Sequence, residues 1–447
     1  MSAGSSAVSS ARLHDALWLL RGPQAFAERI ARHGDVVRFS LGLTPAYLVS
    51  SAEGIHRVSQ ENFKNYVKGR LYDELRRAYG GELIVGEGAG WRRMRKLAQP
   101  FFNAKAMSGH FEAMRAIVAQ DVAAWPLGRI QLTTRLQELG LLVMAATIFG
   151  EDLSEEDTKG LRDACAYRLE WAYESTRWIT MGLPSTATWL LPSNERLRRE
   201  IARVDAIVHP IIKKRREQGI SRPDLLGALL ATVDEEGRSL SDLEVRDEVF
   251  GLLLGAHETT ASSLSWCIYL LCKHPEIERA LRAEVRRVLG TRRLAFEDLA
   301  QLTVLRGVIE EAMRLYPPAW LVFRESLEDD VVCGHRIPAG SVVLPCAWVA
   351  QRSERYWANP LAFDPSRFTP ERRSQITRGA YSPFGVGPHQ CIAIHFGLME
   401  MQIILAEILR NFELRLSNER VGIAIKGTLS PSPGVTVNLT RASSGRA

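Results

Sequence analysis

The sequence predicts a mainly α-helical chain with a small β region, folded as a single large domain. Three observations carry this expectation. From about Trp91 to Lys273, charged and apolar residues recur at helical spacing. Within that stretch, DLEVRDEVFGLLLGAHETTASSLSWCIYLLCKH, beginning at Asp242, reads as one helix of about thirty residues, apolar nearly all round at its centre and therefore buried. Strand-like segments are short and confined to the two ends of the chain, and neither an internal repeat nor a low-complexity linker divides it.

Taken in order, residues 1–11 are mostly Ser, Ala and Gly with little to bury, and read as a disordered lead to a domain over 12–447. Gly34–Ser51, GDVVRFSLGLTPAYLVSS, places β-branched and aromatic residues between turn signals and predicts a hairpin. Ala295–Leu315 reads as helical up to Pro317 and Pro318, which forbid continuation. SVVLPCAWVA reads as a short strand, and a last helix is expected to begin at Cys391.

Composition narrows the function. The 447 residues are 46% hydrophobic and 24% charged, as in an ordinary globular protein. A net charge of +6 is too dilute over this length for a nucleic-acid binder, but it permits an acidic protein partner. Six cysteines without a CxxC pair indicate neither a disulfide framework nor a zinc ribbon, and fit a reducing cytoplasm. The apolar patch near the N-terminus is interrupted by Asp15 and too brief for a signal peptide. No uninterrupted apolar run approaches the roughly 18 residues of a membrane span, so no membrane anchor is expected.

The most informative stretch is FGVGPHQCIA, Phe384–Ala393, which sets a lone thiol after a glycine-punctuated loop. Gly385 and Gly387 permit a tight turn and close approach to a flat ligand. A cysteine at a helix start meets free N–H groups and the positive dipole end, and both favour the thiolate. A buried structural cysteine is the plain alternative. This stretch resembles the haem-binding loop of the cytochrome P450 superfamily, with Phe384, Gly387 and Cys391 on its pattern and Ala393 where glycine is usual. The resemblance implies haem b (heme, iron protoporphyrin IX) with Cys391 as the axial iron ligand.

Three further constellations follow the same family order. GAHETT, Gly255–Thr260, puts an acid and two hydroxyls inside an apolar helix, which is costly unless they find partners. Back-bonding of the hydroxyls to carbonyls four residues earlier is the structural alternative. A HExxH zinc site is ruled out by Ala261. The segment resembles the family's oxygen-binding helix, which implies that Glu258 and Thr259 deliver protons and that Ala256 leaves room for dioxygen. EEAMRLYPP and SRF together resemble a Glu–Arg–Arg structural network, here Glu311, Arg314 and Arg367. GWRRMRKLAQPFF places Trp91 and Arg95 on one helix face. The resemblance assigns both to haem propionate binding, with Arg324 and His389 as further donors.

GELIVGEGAG, Gly81–Gly90, misses the dinucleotide pattern GxGxxG, and a fused reductase would need far more chain. Electrons are therefore expected from a separate ferredoxin or flavodoxin with its reductase. On a helical projection Arg92, Arg93 and Lys96 fall opposite Trp91, predicting a cationic docking face. The implied enzyme is a cytoplasmic bacterial monooxygenase that uses dioxygen to hydroxylate or epoxidise an apolar small molecule, plausible in secondary metabolism. Oxidative C–C or C–N coupling, a peroxide-driven peroxygenase and a non-catalytic haem sensor stay open as alternatives. The resemblance draws the substrate pocket from Tyr72–Val85, Tyr167–Leu191, Ala319–Val322 and the loop near Leu429, with Trp171, Tyr173, Trp178, Trp189 and Trp320 as candidate aromatic walls.

Overall fold

A computed structural model describes residues 9–11, 22–41, 44–73, 75–76, 80–172, 192–219, 222–417, 420–425 and 427–442. The helices that position the site are α1 (Pro23–Ala31), α2 (Glu82–Val85), α3 (Gly88–Phe102), α4 (Met107–Ala123), α5 (Leu132–Phe149), α6 (Glu155–Ala172) and α7 (Pro192–Gln218). They are followed by α8 (Leu225–Ala231), α9 (Asp242–Lys273), α10 (Pro275–Leu289), α11 (Thr303–Leu315) and α12 (Ile394–Asn411).

The long helix α9 is the axis of the fold. Ser241 and Glu244 form a reciprocal capping box at its start, and His274 with Pro275 ends it. It packs along α5, α7, α11 and α12, and its Val249, Leu253, Leu264 and Ile268 are fully buried. Among the described residues α5 alone is long and apolar enough to cross a membrane, and most of it is buried in this packing.

The β portion is peripheral. Strands β1 (Ser9–Ser10), β2 (Val36–Leu41), β3 (Thr44–Val49), β4 (Tyr66–Val67), β5 (Gly128–Gln131), β6 (Arg324–Ser326), β7 (Asp330–Val332), β8 (His335–Ile337) and β9 (Val342–Pro345) precede α12. After it come β10 (Phe412–Leu416), β11 (Gly422–Ile425), β12 (Leu429–Ser432) and β13 (Thr436–Arg441). The main sheet has the order β1-β2-β3-β9-β6-β4. Its β2–β3 hairpin pairs Val36 with Val49 and Leu41 with Thr44, within the Gly34–Ser51 stretch that reads as a hairpin.

Two expectations change here. Ser9 and Ser10 pair with Val37 and Arg38, so the end of the expected unstructured lead adds a strand to the sheet edge. Backbone hydrogen bonding needs no apolar side chain, which is why composition hides it. Residues 1–8 lie outside the described residues. The last helix begins at Ile394, not at Cys391.

Candidate active site

Cys391 is held by a loop tied to itself. The Gly385 N–H donates to Ser382 O (3.0 Å), the Cys391 N–H to Phe384 O (2.9 Å) and the Gln390 N–H to Gly387 O (2.9 Å). Gly387 has a φ of 77°, and a Cβ on it would lie 2.0 Å from the Ser59 carbonyl oxygen, so only glycine fits. Because the Cys391 N–H is drawn back to Phe384, the chain spends two more residues turning into α12. Ala393 caps that helix at a φ of −94°, which alanine adopts as readily as glycine.

The cysteine is accessible. Burial pushes its thiol up; the Ala393 N–H and the Arg95 charge pull the other way without prevailing. The backbone N–H at the start of the helix thus favours the thiolate, as the sequence leads one to expect, while burial opposes it. Loss of hydration outweighs two favourable contacts.

Around this loop the structure gathers cations. Arg95 reaches from α3 to donate to Gln390 O at 2.6 Å, and burial lowers it while Cys391 supports its charge. Arg324 on β6 is buried, its Nη1 donating to Phe323 O at 2.7 Å. His389 lies against Trp91, with ring centroids 3.9 Å apart. Burial, followed by Arg324, Lys68 and Arg95, holds His389 down to about 3, so it is a neutral imidazole. Lys68 belongs to this cluster although nothing in YVKGR marks it. Its Nζ donates to Gly86 O at 2.8 Å, and burial lowers it to about 7, with Glu87 opposing and Arg324 and Arg76 reinforcing. Glu87 accepts from the Lys68 N–H at 2.6 Å and stands 3.8 Å from His389.

Across the fold, α9 contributes its acid and alcohol. Thr259 Oγ1 donates back to Gly255 O at 2.9 Å, the structural alternative weighed above. That bond uses the proton and leaves the oxygen's lone pairs as acceptors. Glu258 accepts from Ser430 Oγ of β12 at 3.3 Å. Ser262 and Trp266 both donate to Leu429 O, so the β11–β12 hairpin is seated on α9 beside this pair. Ala256 is half-buried on the same helix. Thr260 donates to Glu400 of α12 at 3.0 Å, and burial pushes that carboxyl up to about 8.

The Glu311, Arg314 and Arg367 side chains come together. Arg314 meets Glu311 at 2.7 and 2.8 Å with both side chains at 0% exposure, and Arg367 joins at 3.3 Å. The expected cationic docking face does not form as drawn. Arg93 is paired with Asp234 (2.7 Å) and Glu244 (2.8 Å), and Lys96 with Glu235, which leaves Arg92 exposed. A helical projection shows direction but not what lies opposite, here the turn before α9. Trp171 and Trp320 are buried, the former donating to Asn194 at 3.0 Å, while Tyr173, Trp178 and Trp189 lie outside the described residues. Surface clefts of about 420 Å³ beside Arg129–Glu138 and about 780 Å³ between α10 and β10 contain none of these groups.

A helical fold that presents one cysteine from a glycine loop, with buried and half-buried cations near it and an acid–alcohol pair on its long helix, fits a haem-thiolate protein. The chain belongs to the cytochrome P450 family, whose model matches residues 16–438. It is 34% identical to cyclooctat-9-en-7-ol 5-monooxygenase of Streptomyces melanosporofaciens over 90% of this chain and 86% of that one. It is 31% identical to pentalenene oxygenase of Streptomyces avermitilis over 89% and 88% of the two chains. The haem domain of cytochrome P450DA superposes with a TM-score of 0.86 over 98% of each chain at 23% identity, a likeness of fold. The protein is a monooxygenase of a family that carries a cysteine-ligated iron porphyrin and uses dioxygen.

The residues present fit that group. Lys68, Arg95 and Arg324 are buried or half-buried cations close enough to disfavour protonation of His389. Two carboxylates placed among them would relieve that repulsion.

Proposed function

We infer that this chain binds haem b between the Cys391 loop and α9 and oxidises an apolar small molecule of the terpenoid class, with electrons from a ferredoxin or flavodoxin and its reductase. The observation that carries the cofactor reading is the cluster of buried Lys68 and Arg324 and half-buried Arg95 around His389, two residues before Cys391. The terpene-oxidising relatives favour the substrate class. Cys391 would ligate the iron, Trp91 and His389 would help hold the propionates with the nearby cations, and Phe384 and Gly387 shape the loop. Haem supplies dioxygen activation when bound. Glu258 and Thr259 move the protons: Thr259 gives its own proton to the Gly255 carbonyl, which leaves its oxygen able to accept one, and Glu258 is held in place by Ser430. Incubating the holoprotein with a ferredoxin system, NADPH and a panel of cyclic terpenes tests the reading. Oxygenated product from a terpene is expected; turnover of fatty acids or aromatic amino acids alone would overturn the substrate class.

Thr259→Ala separates the catalytic from the structural role of that hydroxyl. Product per NADPH should fall about tenfold or more, with the difference recovered as peroxide, while substrate affinity changes less than about twofold. Unchanged coupling would leave Thr259 as a back-bonded helix residue.

Lys68 gives a pH dependence. Burial and its cationic neighbours hold it near 7, and a propionate beside it raises that value. Haem binding above pH 7 therefore takes up a proton, so affinity falls as pH rises from 7 toward the raised value, by at most about tenfold per unit. Haem transfer to apomyoglobin measured across this range should show the slope, and Lys68→Met should flatten it.

A further inference from the structure

What holds the glycine-rich stretch GGELIVGEGAG, Gly80–Gly90, in place is not explained by the function above, and neither is a buried acid in α9, Glu248. The structure joins them. Glu248 projects from α9 and accepts from two backbone N–H groups at the start of α2, those of Glu82 and, at 3.3 Å, Leu83. Gly80 and Gly81, both at positive φ, carry the chain against α9. A Cβ on Gly81 would lie 2.9 Å from the Asp247 carbonyl oxygen, so the approach needs glycine. One turn further on, Ile84 Cδ1 lies 3.2 Å from where a Cβ on Gly255 would stand. Gly255 is the residue whose carbonyl holds Thr259. Past Ile84 the same segment reaches Gly86 and Glu87, which hold Lys68.

We propose that Glu248 is a positioning residue of the active site: its carboxyl group clamps α2 onto α9 and so holds Ile84, in the segment Tyr72–Val85 already assigned to the pocket, as a wall against Gly255. A four-residue helix is too short to be stable by itself, and α2 depends on Val85, Leu83 and Ile84 packing on the core and on its contacts with α9. Burial pushes the Glu248 acid up to about 8 while the two α2 N–H groups pull it the other way, so the buried group depends on them for its hydrogen bonds. Asp247 beside it is engaged by Arg246 at 2.6 Å, leaving the backbone of α2 to Glu248. The site's position on the substrate side rests on the reading of Gly255–Thr259 given above; the clamp itself does not.

The test uses the full-length holoprotein. In Glu248→Gln, whose amide accepts from one N–H and opposes the other, amides of residues 82–85 should exchange with deuterium about tenfold faster, while those of α5 stay as in the parent. Gly81→Ala attacks the same contact from the facing side and should do likewise, so the clamp stays testable if the Glu248 variant does not accumulate. Parent-like exchange at 82–85 in a folded variant would overturn the clamp. The wall is read with two distal haem ligands, imidazole and 4-phenylimidazole, through the shift of the haem absorption band. The ratio of their dissociation constants should change about fivefold or more in Glu248→Gln, and in Ile84→Ala with exchange unaltered. An unchanged ratio in both would overturn the wall. Failure of either ligand to shift the parent's spectrum would instead count against the haem reading, with the exchange result still standing.

Discussion

Glu311→Gln should destabilise the protein by about 3–5 kcal/mol, the typical cost of breaking a buried ion network from one side. Glu311 is the acid shared by Arg314 and Arg367, and it also accepts from the Asp364 N–H at 2.9 Å. Removing its charge leaves two guanidinium groups buried, at 0% and 7% side-chain exposure. Arg314 keeps the carbonyls of Gln351, Pro360 and Ala362, which carry only partial charge. The damage should not stay local. Gln351 is held by the Arg314 and Met313 carbonyls, and its own oxygen accepts from the Ser382 N–H at 2.8 Å, the residue that opens the Cys391 loop. Glu311→Gln should therefore lower the denaturation midpoint and haem retention together. A parent-like midpoint would show that the network sets geometry without carrying stability.

What sequence made legible follows from range. The α9 helix, the β2–β3 hairpin and the end of α11 at Pro317 are local patterns, and they fold where periodicity and breakers place them. The Glu311 network was legible only because two short motifs, more than fifty positions apart, matched a family order; an i, i+3 pair alone says nothing of burial. Lys68, Glu87, Glu248 and Glu400 carry no such mark. Each is an ordinary charged residue whose role arises from what the fold brings to it: a carbonyl, an imidazole, two amides and a threonine. The same limit misled the reading of Arg93 and Lys96, whose outward direction was correct but whose acidic partners sit some 140 positions on in sequence.

Cys391→Ser should abolish the red-shifted absorption of the reduced carbon monoxide complex, because that band reports sulfur bound to iron. The other cysteines supply the controls. Cys165 and Cys346 are fully buried, and burial pushes their thiols up to about 12; Cys267 is pushed higher still. No cation is paired with any of the three closely enough to prevail, and each sits in a packed core. Cys391 differs in its surroundings. It is accessible, its backbone is fixed by the Phe384 bond, and both the Ala393 N–H and Arg95 favour a negative sulfur. Metal binding needs the deprotonated ligand, so an iron ion supplies the stabilisation that burial withholds. A serine hydroxyl is nearly the same size but far harder to deprotonate, and its oxygen is a poor substitute for a thiolate. The variant should thus fold, since no packing atom is lost, and still fail to give the band. Cys165→Ser, Cys267→Ser and Cys346→Ser should keep it wherever they fold. A band that survives in Cys391→Ser would place the iron on another ligand and undo the assignment of this site.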